Sequence, residues 1–161
     1  MVQRGGGVRD VKIRILKENL SKTDEKDGMI AVDLTVNVCE SMGANILNTI
    51  SENTSHYVQS LIPNGKILLK ILSNLCVNRT ATAEFKIPVD NLKYKGIAGE
   101  EMAKRIVQAY EIAFHDVYRA TTHNKGIFNG IDAVALALGQ DWRAIEASGQ
   151  AYASLGKIYC Q

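Results

Sequence analysis

"MIAVDLTVNVCESMGANILNTISENTSHYVQSL", residues 29–61, changes its hydrophobic rhythm partway along. Residues 29–38 read as a β-strand. From about 43 to 61, Ile46, Ile50, Tyr57 and Leu61 fall at i, i+4, i+11 and i+15, on one face of an α-helix. Upstream, "VRDVKIRIL" (8–16) spaces Val8, Val11, Ile13 and Ile15 between polar residues, as a half-buried strand does. The polar "KENLSKTDEKDG" (17–28) then serves as a hairpin loop between the two strands. Downstream, "IPNGK" (62–66) is a turn, followed by expected strands "KILLKILS" (66–73) and "TATAEFKIPV" (80–89). The order ββαββ with antiparallel pairing predicts an α+β unit, an open-faced sandwich with its helix packed on one face of the sheet. Alternating βαβ crossovers are missing and no GxGxxG occurs, which excludes a doubly wound fold.

From residue 98 the character changes. "GEEMAKRIVQAYEIAFHDVY" places Ile106, Tyr110, Ala113 and Val117 at helical spacing, and "NKGIFNGIDAVALAL" does the same with Ile127, Ile131, Val134 and Leu138. "DWRAIEASGQAYASLG" reads as a third helix with Asp141 at its start. A boundary is expected near 92–97 ("LKYKGI"), giving regions 1–94 and 95–161. Three helices over about 65 residues make a thin core on their own, so this region is expected to belong to something larger.

Composition narrows the functional classes. Apolar residues make up 46% of the 161-residue chain, enough for a core, and no apolar run approaches membrane-spanning length. The formal charge of +2 is small and dispersed, which argues against nucleic-acid partners and membrane surfaces. The strands offer one aromatic residue, Phe85, and no stacking pair for an RNA-binding sheet. Cys39, Cys76 and Cys160 form no CxxC pair, and His56, His115 and His123 have no metal-ligand spacing, so no metal site is expected. No signal-peptide pattern opens the chain, and the expected compartment is the cytoplasm.

Four polar features remain. Lys125, Asn129 and Asp132 fall at i, i+4 and i+7, either a solvated helix face or, with Gly126, Gly130 and Ala133 beside them, a face that a ligand approaches closely. Asp141 follows Gly139 and stands where an N-cap would. "ESMGANILNT" (40–49) opens a helix with Gly43, Ala44 and Asn45, either a plain strand-to-helix turn capped by Ser41 or Asn45 or an anion site of free backbone N–H groups. "RGGGVRD" (4–10) is either a flexible leader or a phosphate-contacting loop with Arg4 and Arg9 flanking the glycines.

Together these stretches resemble the 3-hydroxy-3-methylglutaryl-CoA reductases, and among them the bacterial class II branch. "ESMGANILNT" is similar to that family's D-A-M-G-x-N dinucleotide-binding motif, and "LLKILSNL" (68–75) to the strand that follows it. "YRATTHNKGIFNGIDAVALALGQDWRAIEASGQAYA" (118–153) is similar, almost residue for residue, to its lysine-to-aspartate catalytic stretch. The resemblance runs from "RGGGVRD" to "AYA". It implies a ferredoxin-like, non-Rossmann NAD(P)-binding domain followed by the helical part of the catalytic, substrate-binding domain. The implied activity is reduction of HMG-CoA to mevalonate in two hydride steps from NADH or NADPH with release of coenzyme A, or the reverse.

The resemblance also assigns roles. Lys125 would stabilise the negative charge that builds on the thioester oxygen as hydride arrives. Asp141 would be its carboxylate partner in a buried pair, and Asn129 would orient substrate. Glu40, Met42, Gly43, Asn45 and Arg9 would hold the cofactor. A homodimer or higher homo-oligomer is implied, because the family's sites lie between subunits. Glu40 stands where the motif has aspartate, and Ser41 where it has alanine. The family's further catalytic glutamate and its flap histidine are not found in these residues. A catalytically silent nucleotide-binding or dimerisation module is therefore the rival expectation.

Overall fold

The computed structural model describes residues 2–17 and 28–155. The chain divides into two compact units, residues 1–72 and 73–161. The boundary expected near 92–97 falls inside the second unit. The expected loop at 17–28 lies, but for its end residues, outside the described residues.

In the first unit, β1 (Gly7–Lys17) pairs antiparallel with β2 (Met29–Asn37). Val11 lies opposite Leu34, Ile13 opposite Val32 and Ile15 opposite Ile30, so the two-residue strand period gathers the branched side chains on one face. The other face carries Lys12, Arg14 and Asp33. Arg14 grips both oxygens of Asp33, with Nη2 donating to Oδ1 at 3.0 Å. The register slips at Arg9 and again at Leu16, each an extra residue in β1. Helix α1 (Ala44–Leu61) follows, as the apolar spacing predicts, and ends at a turn closed by a bond from Gly65 N to Ile62 O, 2.9 Å.

The second unit is helical. α2 (Gly99–His115) opens with Glu100 and Glu101 in its first turn, where carboxylates complement the helix dipole. Before it, Lys95 and Gly96 both adopt positive φ in a tight turn that bridges Tyr94 to Ile97. α2 stops where Asp116 turns extended, and the Asp116 carboxylate accepts from Tyr118 N at 3.0 Å to cap α3 (Val117–Ala137). The helix read in "NKGIFNGIDAVALAL", a stretch that opens at Asn124, thus begins earlier, at Val117. Gly139, at φ 65, ends α3: Gly139 N bonds Leu136 O and Gln140 N bonds Ala135 O, a Schellman closure. α4 (Trp142–Ser154) starts immediately after, as expected.

Three expectations are corrected. Residues 66–73 and 80–89 form no ladder among the described residues, and the sheet has two strands. Alternation chooses which face a strand shows, but it supplies no hydrogen-bonded neighbour. Leu72 N bonds the Asn48 side chain of α1 at 3.1 Å instead. The α+β class holds, with two strands and four α-helices among the described residues in place of ββαββ. The helix-on-sheet packing does not form either: α1 builds no packed interface with the ribbon, and Val11, Ile13 and Ile15 stay exposed.

The third correction concerns helix faces. On α3 the buried stripe is Ala120, Asn124, Phe128 and Ala135, while Ile131, Val134 and Leu138 are exposed. On α2 only Ala113 of the expected face is buried; Ile106 and Tyr110 are not. Small residues set this contact, since Ala113 and Ala120 let the two helices approach, with Tyr110 edge-on to His123 at 6.4 Å.

Candidate functional site

The expected cofactor residues cluster at one end of the β-ribbon. Asn37, the last residue of β2, accepts a bond from Cys39 N on its side chain, 2.9 Å, and Cys39 takes a left-handed φ of 54. Ser41 N bonds Val38 O at 3.2 Å, so "CESMG" is a tight reversal. The Cys39 thiol donates to Arg4 O at 3.5 Å, which ties the amino-terminal 3-10 turn (Val2–Arg4) to this reversal. Arg9, at the first slip in register, donates to Gly5 O. The two stretches singled out in the sequence, 4–10 and 40–49, are therefore neighbours.

Gly43 is the N-cap of α1 at φ 103, ψ −19, with no side-chain cap bond. A Cβ there would be strained by that φ and would press on the Val38 methyls at 3.1 and 3.3 Å. Neither Ser41 nor Asn45 caps the helix, and the first turn holds no acid. α1 is alone in this among the four described helices: α2 starts with two glutamates, and α3 and α4 are capped by aspartates. Its first amides are free for an anion, where the helix dipole adds about half a positive charge. Glu40, Met42 and Asn45 surround this opening in sequence and are all exposed. The residues present fit a pyrophosphate-bearing cofactor.

In the second unit, Lys125 and Asn129 are exposed one turn apart on α3. Asp132 is half-buried, and its Oδ1 is shut off from solvent without a hydrogen-bond partner. Asp141 is exposed, and its Oδ1 accepts from Ala144 N at 3.2 Å as the N-cap of α4. Lys125 and Asp141 form no ion pair with each other, so the expected buried pair is not formed within these residues. The cause is the length of α3. Ala137, the last residue of α3, lies 12 positions beyond Lys125, about 18 Å along the helix axis. The sequence reading passed over Asn124, fully buried beside Lys125. Its signal was a polar residue on the stripe of Ala120 and Phe128.

The model of the hydroxymethylglutaryl-coenzyme A reductase family matches residues 1–160. The 3-hydroxy-3-methylglutaryl-coenzyme A reductase of Archaeoglobus fulgidus is 40% identical over 156 residues, covering 97% of this chain and 33% of the relative. The solved reductase of Streptococcus pneumoniae matches with TM-score 0.77 at 38% identity, covering 99% of this chain and 41% of that one. A class II reductase structure from the same organism, bound to NADPH in open conformations, matches with TM-score 0.72 at 39% identity, over 95% of this chain and 35% of its own. The chain spans about a third of the length of the curated relatives it matches. No described helix is long and apolar enough to cross a membrane. Matched along almost its whole length and similar in fold to solved reductases, the chain belongs to the hydroxymethylglutaryl-coenzyme A reductase family.

Proposed function

We propose that these residues supply the nicotinamide-dinucleotide turn and the lysine-bearing helix of a cytoplasmic HMG-CoA reductase that works as a homo-oligomer. The observation that carries the reading is the open start of α1, on a left-handed Gly43 inside a D-A-M-G-x-N-like motif. Residues 1–94 are the cofactor domain and 95–161 the helical part of the catalytic domain. In the complete reductase, 66–73 and 80–89 take their places in a ferredoxin-like sheet.

The amides of Ala44 and Asn45 bind the pyrophosphate, and Arg9 adds positive charge at the same end of the ribbon. Glu40 and Met42 line the opening. A reduced nicotinamide, NADH or NADPH, supplies hydride for reduction of the thioester and then of the aldehyde, with coenzyme A released and mevalonate as product. Lys125 holds its ammonium against the oxygen that becomes negative, a contact stronger in the transition state than in the ground state. Asn129 orients the substrate. Asp141 joins Lys125 once the catalytic groups absent from these residues enclose both, and there it steadies the ammonium and passes protons.

A second reading is favoured by the separation of Lys125 from Asp141 and by the exposed Ile106, Val107, Tyr110 and Ile112 of α2. It is a silent binding or dimerisation module. Titration of the chain with NADH and NADPH, followed by nicotinamide fluorescence, tests the leading reading. Gly43→Val should abolish binding, Lys125→Ala should leave it unchanged, and HMG-CoA should not be reduced by the 161 residues alone. Equal loss in both folded variants, or Lys125-dependent turnover by this chain, would refute the assignment.

A further inference from the structure

Asn–Gly, the dipeptide most prone to lose ammonia, occurs twice in the sequence, at Asn64–Gly65 and at Asn129–Gly130. Glycine has no Cβ to hinder its own amide nitrogen, so that nitrogen reaches the preceding side-chain carbonyl. The fold treats the two pairs oppositely. Asn64 is exposed at the third position of the turn 62–65, held by the Gly65 N to Ile62 O bond of 2.9 Å. The Gln59 amide clamps this turn from α1, with Nε2 donating to Ile62 O at 3.1 Å and Gly65 O at 2.7 Å. A side chain at Gly65 would be crowded, because a Cβ would lie 2.8 Å from the Ile62 side chain and 3.3 Å from its carbonyl oxygen, so the turn would have to shift to admit one. The labile pair is therefore built into the turn. Asn129 and Gly130 sit inside the 21-residue α3, where the Gly130 amide is committed to a helical bond.

We infer that Asn64 is a site of spontaneous deamidation in the folded protein, and that α3 protects Asn129, the other Asn–Gly pair. The Gly65 nitrogen attacks Cγ of Asn64; the new C–N bond closes a five-membered imide. The Cγ–NH2 bond breaks, and ammonia leaves with the amide proton. Water then opens the imide at either carbonyl, giving aspartate or isoaspartate; net, one water enters and one ammonia leaves, with no redox change. The isoaspartyl form routes the backbone through the former Cβ. That lengthens the turn by one atom and draws Gly65 O away from Gln59. The same product places a carboxylate beside Lys66 and loosens the anchor from which residues 66–72 run.

The rates separate because the openings differ. Freeing the Gly65 amide means breaking one exposed turn bond, which slows the reaction about 2- to 12-fold relative to the unfolded chain. Freeing the Gly130 amide means opening the middle of a helix, on the order of 100-fold or more. The test is peptide mapping by mass, with enzymatic detection of isoaspartate, after incubation at mildly alkaline pH with and without denaturant. The peptide carrying Asn64 should convert in the folded chain while the peptide carrying Asn129 does not, and in denaturant both should convert at similar rates. Gln59→Ala should speed Asn64 several-fold and leave Asn129 unchanged, and Asn64→Gln should remove the isoaspartate signal. Equal rates at the two sites in the folded chain, or an Asn64 that stays intact while its unfolded counterpart reacts, would overturn the inference.

Discussion

Replacing Asp141 by asparagine and by alanine separates what its cap does from what its charge does. The carboxylate accepts one bond from Ala144 N, 3.2 Å, at an exposed helix start. Alanine deletes the acceptor and should cost about 1 kcal/mol. It also deletes the charge at the helix N-terminus, about 0.3–1 kcal/mol more. Asparagine keeps the acceptor and should cost only that second amount. A carboxylate paired with a buried Lys125 would behave otherwise, since leaving that ammonium alone costs about 3–5 kcal/mol. Trp142, the chain's one tryptophan, is the first residue of α4 and so reports the element being capped. Urea unfolding followed by its fluorescence, with linear extrapolation, gives the three free energies. Lys125→Ala should be almost neutral in this assay and additive with either substitution at 141, as expected of groups without contact. An asparagine variant that loses more than about 2 kcal/mol, or strong coupling to Lys125→Ala, would show that the two residues pair in the isolated chain.

Gly99→Ala should destabilise the second unit by about 1–3 kcal/mol, because its Cβ would lie 1.9 Å from Val89 O, a backbone atom of the 3-10 turn Val89–Leu92. Gly126→Ala meets nothing within 4 Å and should stabilise α3 by about 0.5–1 kcal/mol; thermal unfolding should shift the two in opposite directions, and a common direction would refute the packing argument. The Arg14 guanidinium, chiefly by its hydrogen bond, holds the Asp33 carboxyl below its ordinary value of 3.8. The folded value lies below the unfolded one, so the pair's contribution is complete above about pH 4 and fades as pH falls through the folded value. The difference in ribbon stability between wild type and Asp33→Asn, followed by circular dichroism, should close in acid, and a difference that persists there would refute the linkage.

Local features were legible in the sequence. The strands at 8–16 and 29–38, α1, and the start of α4 at Asp141 all follow from period and cap chemistry over a few residues. The open turn at Gly43 was only one of two readings, since Ser41 and Asn45 stand close enough to be taken for caps and the backbone alone puts Gly43 in that place. The start of α3 was missed because Asp116 reads as one more polar residue of α2, although it is the cap that separates them. Buried faces were misjudged for a different reason. Period shows where apolar residues line up, as with Ile127, Ile131, Val134 and Leu138, but the surface that covers them need not be in the same stretch. Alanines made the closer helix contact, and the larger side chains stayed outside. The strands at 66–73 and 80–89 failed in the same way, for want of a neighbour that alternation cannot name. Lys125 and Asp141 stood out by pattern but took their roles from the resemblance, since their spacing alone describes a solvated helix and a cap.

The uncapped start of α1 makes the solvent's ions part of the first unit's stability. Any anion that settles on those amides binds the folded unit and not the unfolded chain. It therefore raises the unfolding free energy by RT ln(1 + [L]/Kd), about 2.7 kcal/mol when its concentration is a hundred times its dissociation constant. On the proposed reading, phosphate or sulfate in a buffer would compete for the same place as a pyrophosphate and share in the same effect. The two units answer differently, because the helices of the second already carry their own carboxylates at the corresponding ends. On that reading, a melting curve in phosphate and one in an uncharged buffer should differ in the first unit alone, and the choice of buffer would set how much of a cofactor's stabilising effect is left to see.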